Sequence, residues 1–88
     1  MSFKTHIDYH GNYFEFSEIK NSTPTIFIHG VGLDNTMWYP QKEYFHQKSV
    51  IFYDLLNHGQ SISGYRDLSF AIYSNQLLNI IHKYYVEK

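Results

Sequence analysis

The 88-residue sequence contains no cysteine, which removes disulfides, thiolate catalysis and cysteine-ligated zinc together. Arg66 is its single arginine, so no phosphate clamp is suggested. Charged residues are 17% of the chain with a net charge of -1 and both signs scattered, and this balance leaves no electrostatic footprint for nucleic acid or an acidic membrane. No window reaches the roughly 18 apolar residues that a membrane span needs. The opening stretch "MSFKTHIDYHGNY" has no apolar run of the kind a secretion signal carries. Together these absences lead to the expectation of a cytoplasmic domain with no membrane or nucleic-acid partner.

What the chain does have is aromatic bulk, at 19% of residues, a composition suited to building a core. Its length suits one small domain, which would bury only about 60–65% of the surface of its unfolded chain. Along residues 3–9, Phe3, Thr5, Ile7 and Tyr9 alternate with Lys4, His6 and Asp8, the period of a half-exposed strand. Gly11-Asn12 is a turn pair, and "YFEFSEI" alternates again, so residues 3–19 read as a β-hairpin.

Residues 24–88 read as a β-α-β-α unit. "TIFI" (Thr25 to Ile28) is a short apolar run without alternation, which suggests a strand covered on both faces. A helix is expected from about Thr36 to His46, capped by Asp34 or Asn35, with Pro40 in its first turn. "SVIFYDL" (Ser49 to Leu55) is a second buried-type strand. A last helix is expected up to about Tyr85, capped by Asp67 or Ser69. Phe70, Tyr73, Leu77, Ile80, Ile81 and Tyr84 would form its apolar stripe. The fold class is therefore α/β.

Chemistry in such a sheet belongs at the C-terminal ends of the parallel strands, and two loops fall there. In "HGVGLDNTMW" the glycines Gly30 and Gly32 let the backbone turn sharply and present N–H groups, donors of the kind that stabilise an oxyanion. The other loop is "YDLLNHGQSISG". Its serine, Ser61, nearly completes the G-x-S-x-G turn of a serine nucleophile, but Gly64 comes one residue late. Each loop alone reads more readily as an ordinary strand-to-helix connection. His6 and His10 lie too far apart along one strand face to share an ion, and no carboxylate cluster joins them, so they read as solvated surface with no metal.

Taken together, a strand ending in His-Gly and a later strand ending in D-L-x-x-H-G-x-S resemble the α/β-hydrolase fold, in the branch of enol-lactonases, esterases and C–C bond hydrolases. The resemblance runs over nearly the whole chain, from the hairpin as the first two strands to residues 68–86 as the second helix. It implies that the backbone N–H of Val31 is half of an oxyanion hole, that His29, Gly30 and Gly32 shape this loop, and that His29 is structural rather than a base. It further implies that Asp54 braces the second glycine loop, with Gly59 and Ser61 closing it. Where the family usually has Gly-His-Gly, this chain has Asn57-His58-Gly59, and asparagine is the next-best residue for positive φ.

The family's nucleophile follows its fifth strand, and no G-x-S-x-G occurs in these 88 residues. The resemblance therefore implies a truncated hydrolase. Its full-length form would cleave an ester, lactone or related carbonyl substrate with a Ser-His-Asp triad and no cofactor, and this chain would be inactive alone. Because the family's third strand lies between the fourth and fifth, "TIFI" would then be an exposed edge, open to self-association or to a separate C-terminal half. The alternative is a non-catalytic stub that binds a partner protein through that edge.

Overall fold

A computed structural model describes residues 3–87. Four strands, β1 (Lys4–Ile7), β2 (Tyr13–Ser17), β3 (Thr25–Ile28) and β4 (Val50–Tyr53), form one sheet in the order β1-β2-β4-β3. β1 with β2 and β2 with β4 run antiparallel, whereas β3 and β4 run parallel. Between β3 and β4 the chain forms a 3-10 turn (Asn35–Trp38) and the helix α1 (Tyr39–Phe45); after β4 it reaches the long helix α2 (Phe70–Glu87).

β4 is the centre of the molecule: all four of its residues are buried. Alternation along a strand sends its side chains to two different layers. Ile51 and Tyr53 join Phe14, Phe16, Leu55, Ile80 and Tyr84 in the core beneath α2. On the other face Phe52 stacks on Phe27 at 4.9 Å, and Phe27 meets Trp38 at 4.9 Å and Phe45 at 5.1 Å. That second layer also holds the one ion pair among the described residues, Lys42 Nζ to Glu15 Oε1 at 2.9 Å.

β3 corrects one expectation and meets another. An apolar run without alternation suggests a central strand covered on both faces, but β3 is the sheet edge and its residues are half-buried or exposed. The run is apolar because Ile26 and Phe27 pack on opposite layers, while the outer edge stays open. β1 departs differently. Lys4 and His6 pair with Phe16 and Phe14 and share their face of the sheet. Of the apolar members of the alternation, Phe3 packs on Phe52 at 5.5 Å, whereas Ile7 is 57% exposed and Tyr9, in the turn beyond the strand, 98%. Period alone identifies a strand, not which of its faces the next layer covers.

The helix expected over 36–46 is two pieces. The Asp34 side chain accepts the Thr36 N–H at 2.9 Å and caps the 3-10 turn, and α1 starts afresh at Tyr39 with Pro40 in its first turn. Proline has no N–H to carry the hydrogen-bond ladder backwards, so the regular α-helix begins beside it. Those hydrogen bonds from Thr36, from its hydroxyl and then its N–H, also hold the Asp34 carboxyl below its ordinary pKa. In α2 the cap is Ser69, whose hydroxyl accepts the Ile72 N–H at 3.2 Å. Of the expected stripe, Phe70 lies outside the core at 88% exposure. It sits on the first turn, beside the open edge of the sheet.

Two tests of this packing follow from its polar atoms. Tyr84 is fully buried against Phe16, yet its hydroxyl has no hydrogen-bond partner among the described residues. Tyr84→Phe should therefore leave stability unchanged or raise it by about 1 kcal/mol in urea unfolding, against the loss usual for a paired buried hydroxyl. The phenols give the second test. Burial pushes Tyr53 up to about 12 and raises Tyr84, and burial followed by the adjoining Glu15 carboxylate raises Tyr13 further still. A raised folded-state pKa contributes stability that is complete below the unfolded value near 10 and disappears as pH climbs toward the folded value. Absorbance of phenolate should accordingly show these three tyrosines ionising late, in step with loss of circular dichroism above about pH 10.

Candidate functional site

Both glycine loops lie at the C-terminal ends of the parallel pair β3 and β4. The first is a tight turn: Leu33 N–H donates to Gly30 O at 3.1 Å, and Gly32 at its third position has φ 88°. That is the type II arrangement, which needs glycine there. The second loop opens with a matching turn, His58 N–H to Leu55 O at 3.0 Å with Asn57 at φ 65°. Asparagine tolerates this left-handed conformation better than other residues with a side chain, so the turn forms without a glycine.

Asp54 ties the two loops together. Its Oδ1 accepts the Asn35 N–H and side-chain amide, each at 2.7 Å, and its Oδ2 accepts the Gln60 N–H at 2.8 Å. The carboxylate thus spans the start of the 3-10 turn and the second loop from a buried position. Ser61 is equally occupied: its hydroxyl donates to Asp54 O at 2.6 Å and accepts the Tyr13 N–H at 2.9 Å. A buried hydroxyl that donates to one backbone group and accepts from another is held by the frame and not presented to a substrate. Asp54 O also accepts the Gln76 side-chain amide, whose oxygen takes the Leu56 N–H, so α2 holds the loop from beneath.

The histidines complete the frame reciprocally. His29 is buried, with Nδ1 donating to Gly30 O at 2.7 Å and Nε2 accepting the Leu55 N–H of the second loop at 2.9 Å. His58 does the converse, with Nδ1 donating to Leu56 O at 2.8 Å and Nε2 accepting the Gly32 N–H of the first loop at 2.9 Å. The two rings are 5.2 Å apart. Between the loops lies an open cleft of about 610 Å³, bordered by Gly32, Asp34, Met37, Asn57, His58 and Gly59.

Val31 stands apart from this web. Its residue is 81% exposed, and its N–H meets no acceptor among the described residues, whereas the neighbouring Gly32 N–H is taken by His58. Val31 also borders a second, apolar hollow of about 400 Å³ with Ile28, Tyr53, Leu55, Phe70 and Tyr73, on the open edge of the sheet. The sequence-expected residues His29, Gly30, Val31, Gly32, Asp54, Gly59 and Ser61 therefore gather in two adjoining loops. Asn35, His58 and Gln76 belong to the same assembly but were not singled out for it. Gln76 carried a signal, since a glutamine three residues after Tyr73 and four before Ile80 falls on the apolar stripe and needs a buried partner. No metal-binding group of three or more ligands exists among the described residues, and no helix among them is long and apolar enough to cross a membrane.

The fold and loops define an α/β unit with backbone donors presented at the ends of its parallel strands. Over 72 residues the chain is 38% identical to (E)-2-((N-methylformamido)methylene)succinate hydrolase of Acinetobacter baylyi, a match that covers 81% of this chain and 26% of that enzyme. The similarity is thus to a hydrolase, and the chain spans about a quarter of the length of the curated relative it matches. No family model and no solved structure matches the chain.

Proposed function

We propose that the chain is the N-terminal portion of an α/β-hydrolase catalytic domain and supplies half of its oxyanion hole. The observation that carries this reading is the unpaired N–H of Val31, an exposed residue on a loop held by Asp54, His29 and His58. A backbone donor fixed before the reaction costs no reorganisation when charge develops on a carbonyl oxygen, which is why such donors accelerate acyl transfer. The similarity to a hydrolase and the strand order agree with the reading.

In this proposal the substrate is an ester, lactone or related carbonyl compound in the manner of the enol-lactonase and esterase branch. The attacking serine, its acid and its histidine come from chain outside these 88 residues. Attack by the serine on the carbonyl carbon would place the negative oxygen against the Val31 N–H, with a second donor from the nucleophile turn. Ser61 would take no part, being committed to Asp54 O and Tyr13 N–H.

The test is to read the coding DNA past codon 88 for G-x-S-x-G followed by an acid and a histidine, and to assay both polypeptides. A p-nitrophenyl ester should be turned over by the extended protein and not by the 88-residue chain. Turnover by the 88 residues alone would remove the claim that the nucleophile lies elsewhere. A second reading, a non-catalytic stub that binds a partner protein, is favoured by the open β3 edge and its apolar hollow. It would win if nothing hydrolase-like follows and the purified chain binds a defined protein at fixed stoichiometry.

A further inference from the structure

His58, like His29, is a residue of the loop frame whose acceptor role depends on its charge state, and its acceptor serves the first loop. The Nε2 that receives the Gly32 N–H can do so only while it carries no proton, and the Nδ1–H bond to Leu56 O fixes that tautomer. We infer that His58 is a pH-responsive positioning residue for the first loop: neutral, it latches the Val31–Gly32 peptide, and protonated, it releases it. The inference rests on the reading of that loop as an oxyanion loop for its catalytic meaning, but not for its mechanism.

Protonation would put an Nε2–H against the Gly32 N–H, donor facing donor. The imidazolium then needs an acceptor, and the carbonyl of the same peptide, Val31 O, becomes available if that peptide turns over. A type II turn with glycine at its third position permits this, because glycine occupies the negative φ of a type I turn as readily as the 88° it holds here. The peptide next to the free Val31 N–H would therefore present a different face to the cleft in acid than at neutral pH.

The titratable groups around His58 allow its effect to be separated. His29 lies 5.2 Å away on the first loop, but its protonation would be felt first at the Leu55 N–H that its Nε2 accepts. Asp34 borders the same cleft and is bonded to Thr36. Asp54 is held by Asn35 and Gln60, and Lys42 on α1 turns to Glu15 and the Asn35 side chain.

The experiment uses the 88-residue chain labelled with nitrogen-15 and follows the Gly32 and Leu55 amides from about pH 8 to about pH 5, across the range where histidine titrates. After correction for intrinsic rates, Gly32 amide exchange should quicken roughly tenfold between the neutral and the acid end of this range, the equivalent of one hydrogen bond lost. His58→Gln, whose side-chain oxygen accepts the same N–H without titrating, should keep Gly32 slow at every pH. His58→Phe should leave it fast at every pH. Equal Gly32 exchange at the two ends of this pH range, or an unchanged pH response in His58→Gln, would overturn the latch. A full-length protein that fails to hydrolyse esters while Gly32 still follows His58 would instead sink the hydrolase reading and leave the latch standing.

Discussion

Asp54→Ala should cost about 3–5 kcal/mol, a large part of the roughly 5–10 kcal/mol expected for a domain of this size. The basis is the number of buried donors stranded at once. Three N–H groups, from Asn35 backbone, Asn35 side chain and Gln60 backbone, now point at the two oxygens of one carboxylate. A hydrogen bond to a charged group contributes about 1.5–3 kcal/mol, and a donor left dry costs its desolvation. Water entering the space would recover part of this, so the loss is smaller than three full bonds. Asp54→Asn should lie near the midpoint, because the amide keeps the shape but offers one oxygen where two accept. Urea unfolding monitored at Trp38, the single tryptophan, reports directly, since its ring packs on Phe27 next to the 3-10 turn that Asp54 anchors. A loss below about 1 kcal/mol for Asp54→Ala would mean that Asn35 and Gln60 find water as readily as they find the carboxylate.

The same carboxylate explains why some of the site was legible in the sequence and some was not. Positions that depend on backbone conformation announce themselves by residue type: glycine at 30, 32 and 59 and asparagine at 57 mark sharp turns, and three of these four have positive φ. Strand β4 was legible because burial on both faces demands an unbroken apolar run. The identical logic misled at β3, where an edge strand between two aromatic layers looks the same in one dimension. The links between loops were not legible. That Asp54 reaches Asn35, nineteen residues earlier, and that two histidines exchange acceptors across the loops are facts of sheet order. Local spacing carries no trace of them, because it is the sheet order that sets β3 and β4, with their two loops, side by side.

Gly59→Ala should be nearly as damaging, by about 3 kcal/mol, and it tests the loop from the side of the backbone. Gly59 has φ 48°, and a Cβ built there would overlap the Asp54 carboxyl carbon and both oxygens. Two costs combine. A side chain in the left-handed region costs about 1–2 kcal/mol, and overpacking against a fixed group adds about 1–3 kcal/mol. Gly32 separates them, since it has φ 88° with nothing within 4 Å of the position its Cβ would take. Gly32→Ala should therefore show the conformational cost alone, about 1 kcal/mol, and the difference between the two variants measures the contact with Asp54. The double variant makes the point sharper. With Asp54→Ala already in place, the overlap at residue 59 has been removed, so Gly59→Ala should then cost little more than Gly32→Ala does in the original chain. Strict additivity of the two changes would show that residue 59 does not feel the carboxylate. A coupling of 1 kcal/mol or more would establish that the glycine is required by the brace itself and not only by the turn.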